Sequence, residues 1–204
     1  MNQVPCDLTL GCFLHAGFYA AWLEVKASVF AGVKAATAAN PTYKIVTTGH
    51  SLGGSTATIG AAYLRKAGYA VDIYTYGSPR VGNGVFAKFV TAQPGAEFRV
   101  THGNDPIARL PPIIFNYRHT SPEYWHIDDV PAPSNFTLCT GHANTDCNGG
   151  TQGFSLDPHG WYFFKINGCA TGQTPFKRNA EISDAQIAAQ LNDWVHADID
   201  FHGE

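Results

Sequence analysis

The sequence predicts an α/β protein in which a mostly parallel sheet is flanked by helices. Three observations predict it. Short runs rich in β-branched residues alternate with longer alanine-rich runs between residues 17 and 101, the pattern of a parallel sheet with helical crossovers. The chain has 204 residues, which at roughly 150 per domain is one compact unit with room for a sizeable core. Hydrophobic residues make up 45% of it and charged residues only 14%. An average domain is about 25% charged, so a disordered, solvating chain is excluded.

Each element follows from local pattern. Trp22, Val25, Val29 and Val33 recur at helical spacing among many alanines until Asn40-Pro41 stops the run, which predicts a helix over 17–39. Residues 43–48 read as a strand, 49–54 as a sharp turn, and 55–67 as a helix that ends at Gly68. A second strand is predicted at 71–76, a short helix at 83–91 and a third strand at 97–101. After Asp105 seven prolines, from Pro106 to Pro158, make the text loop-rich. Ile187, Leu191, Trp194 and Val195 then share one face of a helix over 183–197. That helix either packs on the domain surface, or covers the mouth of an active site or touches an oil–water interface.

Thirteen Lys and Arg against 16 Asp and Glu leave a net charge of −3, with no block of like charges. Nucleic acid is therefore not an expected partner. The apolar runs break well before the ~18 residues of a membrane span, so no transmembrane segment is expected.

Five cysteines fall as Cys6 and Cys12, Cys139 and Cys147, and a solitary Cys169. The local pairs suit two disulfides better than the C-x2-C units of a metal site. Asn135-Phe136-Thr137 is a glycosylation acceptor pattern in a proline-bounded loop, whereas Asn40-Pro41-Thr42 is excluded by its proline. Both features predict a secreted protein. The N-terminus lacks the features of a signal peptide, so either the signal has been removed or the chain begins late.

The chemistry is concentrated in Gly49-His50-Ser51-Leu52-Gly53. This is a G-x-S-x-G nucleophile elbow, and it lies between a predicted strand and a predicted helix, the context that gives the pattern its meaning. Small residues on both sides of Ser51 allow the strained turn that lifts its hydroxyl above the strand ends. The amide of Leu52, at the helix start, is the expected oxyanion donor. A serine hydroxyl needs a histidine as base and an acid to orient it, and in α/β-hydrolases the order is serine, acid, histidine. Asp105 directly follows the third strand, at the same sheet edge as the elbow; its structural alternative is a turn cap before Pro106. Downstream stand His119, His126, His142, His159, His196 and His202, and spacing does not choose among them.

Nine histidines contain no H-E-x-x-H or comparable ligand spacing, so no metal is expected. Gly49 to Gly54 lacks the lysine and spacing of a phosphate-binding loop, so no cofactor is expected either.

Taken together these residues resemble the fungal class 3 lipase family, which includes feruloyl esterases. The matching segments, in order, are His15-Ala16-Gly17-Phe18, the elbow with Gly54, Tyr76-Gly77-Ser78-Pro79-Arg80-Val81-Gly82-Asn83, Val100-Thr101-His102 with Asn104-Asp105, Leu110-Pro111-Pro112, and Pro122-Glu123-Tyr124-Trp125. The resemblance runs over about 12–169, which divides the chain into an α/β-hydrolase domain at 1–169 and a C-terminal extension at 170–204. In that family the catalytic histidine precedes an aromatic pair, which His159-Gly160-Trp161-Tyr162-Phe163 matches. Gly160 replaces the larger residue often found there. The resemblance thus implies a Ser51, Asp105, His159 triad, with His15, His50 and His102 as packing or loop-shaping residues. It also implies bridges Cys6 to Cys12 and Cys139 to Cys147, with Cys169 left unpaired.

The activity implied is hydrolysis of a carboxylic ester through an acyl-enzyme, with triacylglycerol at an oil–water interface as the substrate. A feruloyl esterase is the alternative, and a non-catalytic lipid-binding or interaction module is the alternative of another class. The strands, lid and F-R-G-[ST] segment that such lipases carry upstream are not found before His15. A half-built oxyanion hole, weak esterase activity and self-association along a bared sheet edge are the expectations that follow.

Overall fold

In the computed structural model residues 2–128, 135–166 and 183–201 are described. A five-stranded sheet has the order β3(Ile45–His50), β4(Val71–Tyr76), β5(Glu97–His102), β6(Glu123–His126), β7(Phe136–Cys139). The first four strands run parallel and β7 antiparallel. Helix α1(Ala16–Ala39) leads into β3, and helices α2(Leu52–Lys66) and α3(Gly84–Thr91) cross over between β3, β4 and β5. Ahead of α1, β1(Gln3–Pro5) and β2(Phe13–His15) form a separate antiparallel ribbon. A second small ribbon is made by β8(Trp161–Tyr162) and β9(Phe164–Lys165).

The core forms where α2 lies between α1 and the sheet. Ile59, Ala61, Ala62 and Leu64 of α2 are buried with Val71 and Ile73 of β4 and with Phe86 and Val90 of α3. Small residues in α2 let α1 approach: a Cβ on Gly60 would stand 3.0 Å from the ring of Trp22, the one buried residue of α1. Each fully buried side chain of the Leu or Ile type contributes about 1.5–3 kcal/mol.

Register brings the functional positions to one edge. His50 pairs with Tyr76, Tyr76 with Val100, and His102 with His126, so the C-terminal ends of β3 to β6 lie at one edge, with β5 and β6 two residues longer. The ladder continues one residue further, with Ser51 N–H donating to Tyr76 O, Gly77 N–H to Val100 O and Gly103 N–H to His126 O.

Several expectations need correction. The helix predicted from 55 begins at Leu52, because the elbow turn is consumed within Ser51 itself. The region after Asp105, read as loop, contains β6 and β7. β6 is only four residues long and its buried Glu123 breaks the apolar signal; Arg99 and Thr101 of β5 donate to that carboxylate. Two strands precede α1 where none was expected, although they lie outside the central sheet. The C-terminal helix, α4(Asp184–Ile199), packs on the body. Leu191 and Val195 are buried and Trp194 sits edge-on against Phe115, so its apolar stripe is occupied rather than offered to a substrate or an interface.

The last turn of α4 inserts a carboxylate into the body. Asp198 accepts from Arg80 Nη1 at 3.1 Å and from the backbone N–H groups of Ile113 and Ile114. Arg80 also donates to the carbonyls of Arg109 and Pro111, and burial pushes its guanidinium down to about 10. Disulfides join Cys6 to Cys12 and Cys139 to Cys147. Cys169 lies outside the described residues.

Candidate active site

Ser51 is the residue between β3 and α2, with φ 55 and ψ −129. A non-glycine residue there is strained, and only close packing of the flanking backbone sustains it. Gly49 makes that packing available, since a Cβ on it would lie 2.3 Å from the carbonyl carbon and oxygen of Gly53. At Gly53 a Cβ would meet nothing within 4 Å, so the steric demand falls on the first glycine of the pattern. The helix starts at Leu52, so the Leu52 N–H belongs to a first turn whose donors have no partner inside the helix.

The structure brings Ser51, Asp105 and His159 together. His159 Nε2 stands 2.9 Å from Ser51 Oγ, and His159 Nδ1 stands 2.9 Å from Asp105 Oδ2. Asp105 is fully buried, and its other oxygen accepts from Ile107 N–H at 2.8 Å. Asn148 braces the same loop by donating to the carbonyls of Gly103 and Asp105. Asn148 directly follows Cys147, so the second disulfide holds the brace.

Other candidate histidines are engaged elsewhere. His119 Nε2 faces the Ala108 carbonyl and His142 Nδ1 the His119 carbonyl. His126 is buried on β6, His196 is exposed on α4, and His202 lies outside the described residues. Asn135 is exposed at the start of β7 and donates to Asp128.

Two functional neighbours escaped the sequence. Tyr162 donates its hydroxyl to Asp105 Oδ2 at 2.6 Å; burial, reinforced by the Asp105 charge, pushes its phenol far above the usual value and keeps the donor protonated. Its signal was the aromatic pair after His159. Gly77, at φ 55, is the other: a Cβ there would lie 2.7 Å from Asp105 Oδ2 and 3.0 Å from His159 Nδ1. Its signal was the Tyr76-Gly77-Ser78-Pro79 segment.

No group of three metal-ligating side chains is assembled among the described residues. No helix among them is long and apolar enough to cross a membrane.

A serine on a strand-to-helix elbow, with a histidine and an aspartate on loops at the same edge of a mostly parallel sheet, is the arrangement of the α/β-hydrolase fold. The model of the lipase (class 3) family matches residues 1–115. The secreted mono- and diacylglycerol lipase 1 of Fusarium solani is 53% identical over 98% of this chain and 61% of its own length. A mono- and diacylglycerol lipase structure from Aspergillus oryzae superposes with a TM-score of 0.77, at 35% identity, over 82% of this chain and 65% of that one. A triacylglycerol lipase structure, described as having a serine protease triad as its catalytic centre, gives 0.74 at 32% identity over 79% and 63%. The chain belongs to the class 3 lipase family. It spans about three fifths of the length of the curated relatives it matches.

Proposed function

We propose that this chain hydrolyses the ester bonds of acylglycerols through an acyl-enzyme, outside the cell. The observation that carries the reading is the unbroken line from Ser51 Oγ through His159 to Asp105, with both contacts at 2.9 Å. Ser51 attacks the ester carbonyl while His159 Nε2 takes its proton. The Leu52 N–H donates to the developing oxyanion, a contribution typically worth about 100- to 1,000-fold in turnover. His159 then returns the proton to the leaving alcohol, and Asp105 holds the imidazolium that forms in between. Water repeats the sequence on the acyl-enzyme and releases the fatty acid. No cofactor or metal enters these steps.

The names of the relatives favour mono- and diacylglycerols over the triacylglycerol expected from sequence. The relatives named as secreted, the two disulfides and the exposed Asn135 acceptor support an extracellular, glycosylated protein. We take residues 1–169 as the catalytic unit and 170–204 as an extension that braces it. The edge strand β3, with Val46 51% exposed, supports self-association, which light scattering measures.

The test pairs a fluorophosphonate label with turnover. Label should attach to Ser51 and be lost in Ser51→Ala, and emulsified monoacylglycerol should turn over many times per site. Equal labelling of the variant would refute the nucleophile. Stoichiometric labelling without turnover would indicate a binding module, and preference for methyl ferulate a feruloyl esterase.

A further inference from the structure

The turn that carries His159 has little stiffness of its own. It is one short 3-10 turn, Pro158–Gly160, without a side-chain cap, and a Cβ added to Gly160 would meet nothing within 4 Å. Its backbone carbonyls are instead held from the sheet. His50 Nε2 lies 2.7 Å from the carbonyl oxygen of His159 itself, and His102 Nδ1 lies 3.2 Å from that of Pro158. A carbonyl oxygen accepts and cannot donate, so the nitrogen facing it carries the proton, which fixes His50 as the Nε2–H tautomer. The other nitrogen of His102 faces the Asp128 carbonyl at 3.2 Å, and a neutral imidazole has one N–H, so His102 donates to Pro158 as the Nδ1–H tautomer and to Asp128 as the Nε2–H tautomer.

The origin of the two histidines is what gives the contacts meaning. His50 is the last residue of β3, immediately before Ser51. His102 is the last residue of β5, and its carbonyl accepts from Asp105 N–H. Each histidine therefore ties the base's turn to the strand that presents one of the base's two partners. We propose that His50, as the Nε2–H tautomer, and His102, as the Nδ1–H tautomer, are positioning residues, a pair of imidazoles that hold two consecutive carbonyls of the catalytic turn and so aim His159 between Ser51 and Asp105.

The inference rests on the ester-hydrolase reading above and gives the packing or loop-shaping role implied by the resemblance a specific target, the aim of His159. Geometry gives it weight, because a misplacement of about 1 Å costs on the order of 100-fold in rate. Electrostatics is consistent with it. Burial, with the adjacent His159 as second cause, holds His50 below the usual imidazole range, so a neutral donor lies beside the ring that becomes charged. The two rings are 4.5 Å apart between centroids.

The test compares removal and retention of the donor in the full chain, with kcat normalised to sites titrated by fluorophosphonate. His50→Leu and His102→Phe remove the N–H; His50→Gln and His102→Asn keep one near the same place. We expect the removing variants to lose roughly 10- to 100-fold in kcat on a soluble p-nitrophenyl ester with KM within about twofold, and the retaining variants to recover most of it. If His50→Leu does not fold, His50→Met carries the same comparison. Removing variants that keep wild-type kcat per titrated site, with only a lower Tm, would overturn the proposal. So would retaining variants no better than removing ones. A wild-type chain that takes no label at Ser51 would sink the ester-hydrolase reading and this inference with it, an outcome distinct from a labelled wild type with indifferent variants.

Discussion

Tyr162 and His159 share one oxygen: the phenol donates to Asp105 Oδ2 at 2.6 Å and the imidazole Nδ1 stands 2.9 Å from the same atom. The acid is thereby fixed from two directions. Tyr162→Phe removes one donor and keeps the ring, so the loss isolates the hydrogen bond. A bond to a charged group is worth about 1.5–3 kcal/mol. We expect urea unfolding to show a loss in that range and kcat to fall about tenfold; unchanged kcat would mean that Ile107 N–H and His159 suffice to orient Asp105.

Gly77→Ala addresses the same centre from the backbone. The added methyl would crowd Asp105 Oδ2, the Tyr162 hydroxyl and His159 Nδ1, all within 3.0 Å, at a positive φ of 55. The backbone strain costs about 1–2 kcal/mol, or a few degrees of Tm. The effect on fluorophosphonate labelling should be far larger, at least about 100-fold, because the triad must open to admit the methyl. A labelling rate that follows only the small stability loss would contradict this.

Asp198→Ala leaves Arg80 buried without its carboxylate, and breaking such a pair typically costs about 3–5 kcal/mol. Arg80→Met combined with Asp198→Ala should regain part of that loss, since neither charge of the pair is then left buried alone. Activity on dissolved and emulsified esters should fall together, because α4 braces the body. A loss confined to emulsions would return α4 to the lipid surface.

Acid should destabilise the protein through its buried histidines. His15, His50 and His119 are each held below the usual 6.5, with burial the leading cause in all three. Below about 6.5 the unfolded chain binds protons at these positions while the folded chain does not, so stability drops as pH falls. Tm should decline from pH 7.5 to pH 5, and His119→Gln should flatten the decline. A Tm that rises over that interval would reverse the sign.

The thiol inventory follows from the two bridges. Denatured, unreduced protein should titrate as one thiol, that of Cys169. Zero or three would rearrange the pairing. Reduction of each bridge should cost about 2–3 kcal/mol on the loop-closure estimate.

The sequence disclosed the sheet's first three strands and its elbow because each is a local pattern: β-branched runs for β3 to β5, and glycines around Ser51. Asp105 was legible from its place after β5. His159 was not, since six histidines followed the acid, and only family resemblance chose one. β6 was hidden because its inward Glu123 depends on Arg99 and Thr101 of another strand, a partnership with no local trace. The same holds for Gly77, whose need for hydrogen in place of a side chain arises from residues 28 and 82 positions away in the chain. The face of α4 was read correctly from spacing, while its docking site required Arg80.

The Arg80–Asp198 pair also has a consequence in time. Its members are 118 residues apart in sequence, and chains are made from the N-terminus at about 5–20 residues per second. Arg80 emerges with the first half of the sheet, long before the carboxylate that will neutralise it exists. Until position 198 has been made, closing the body over Arg80 would bury a guanidinium without its carboxylate, which disfavours the closed body. Docking of the last turn of α4 is thus the step that brings a carboxylate to an arginine made 118 residues earlier.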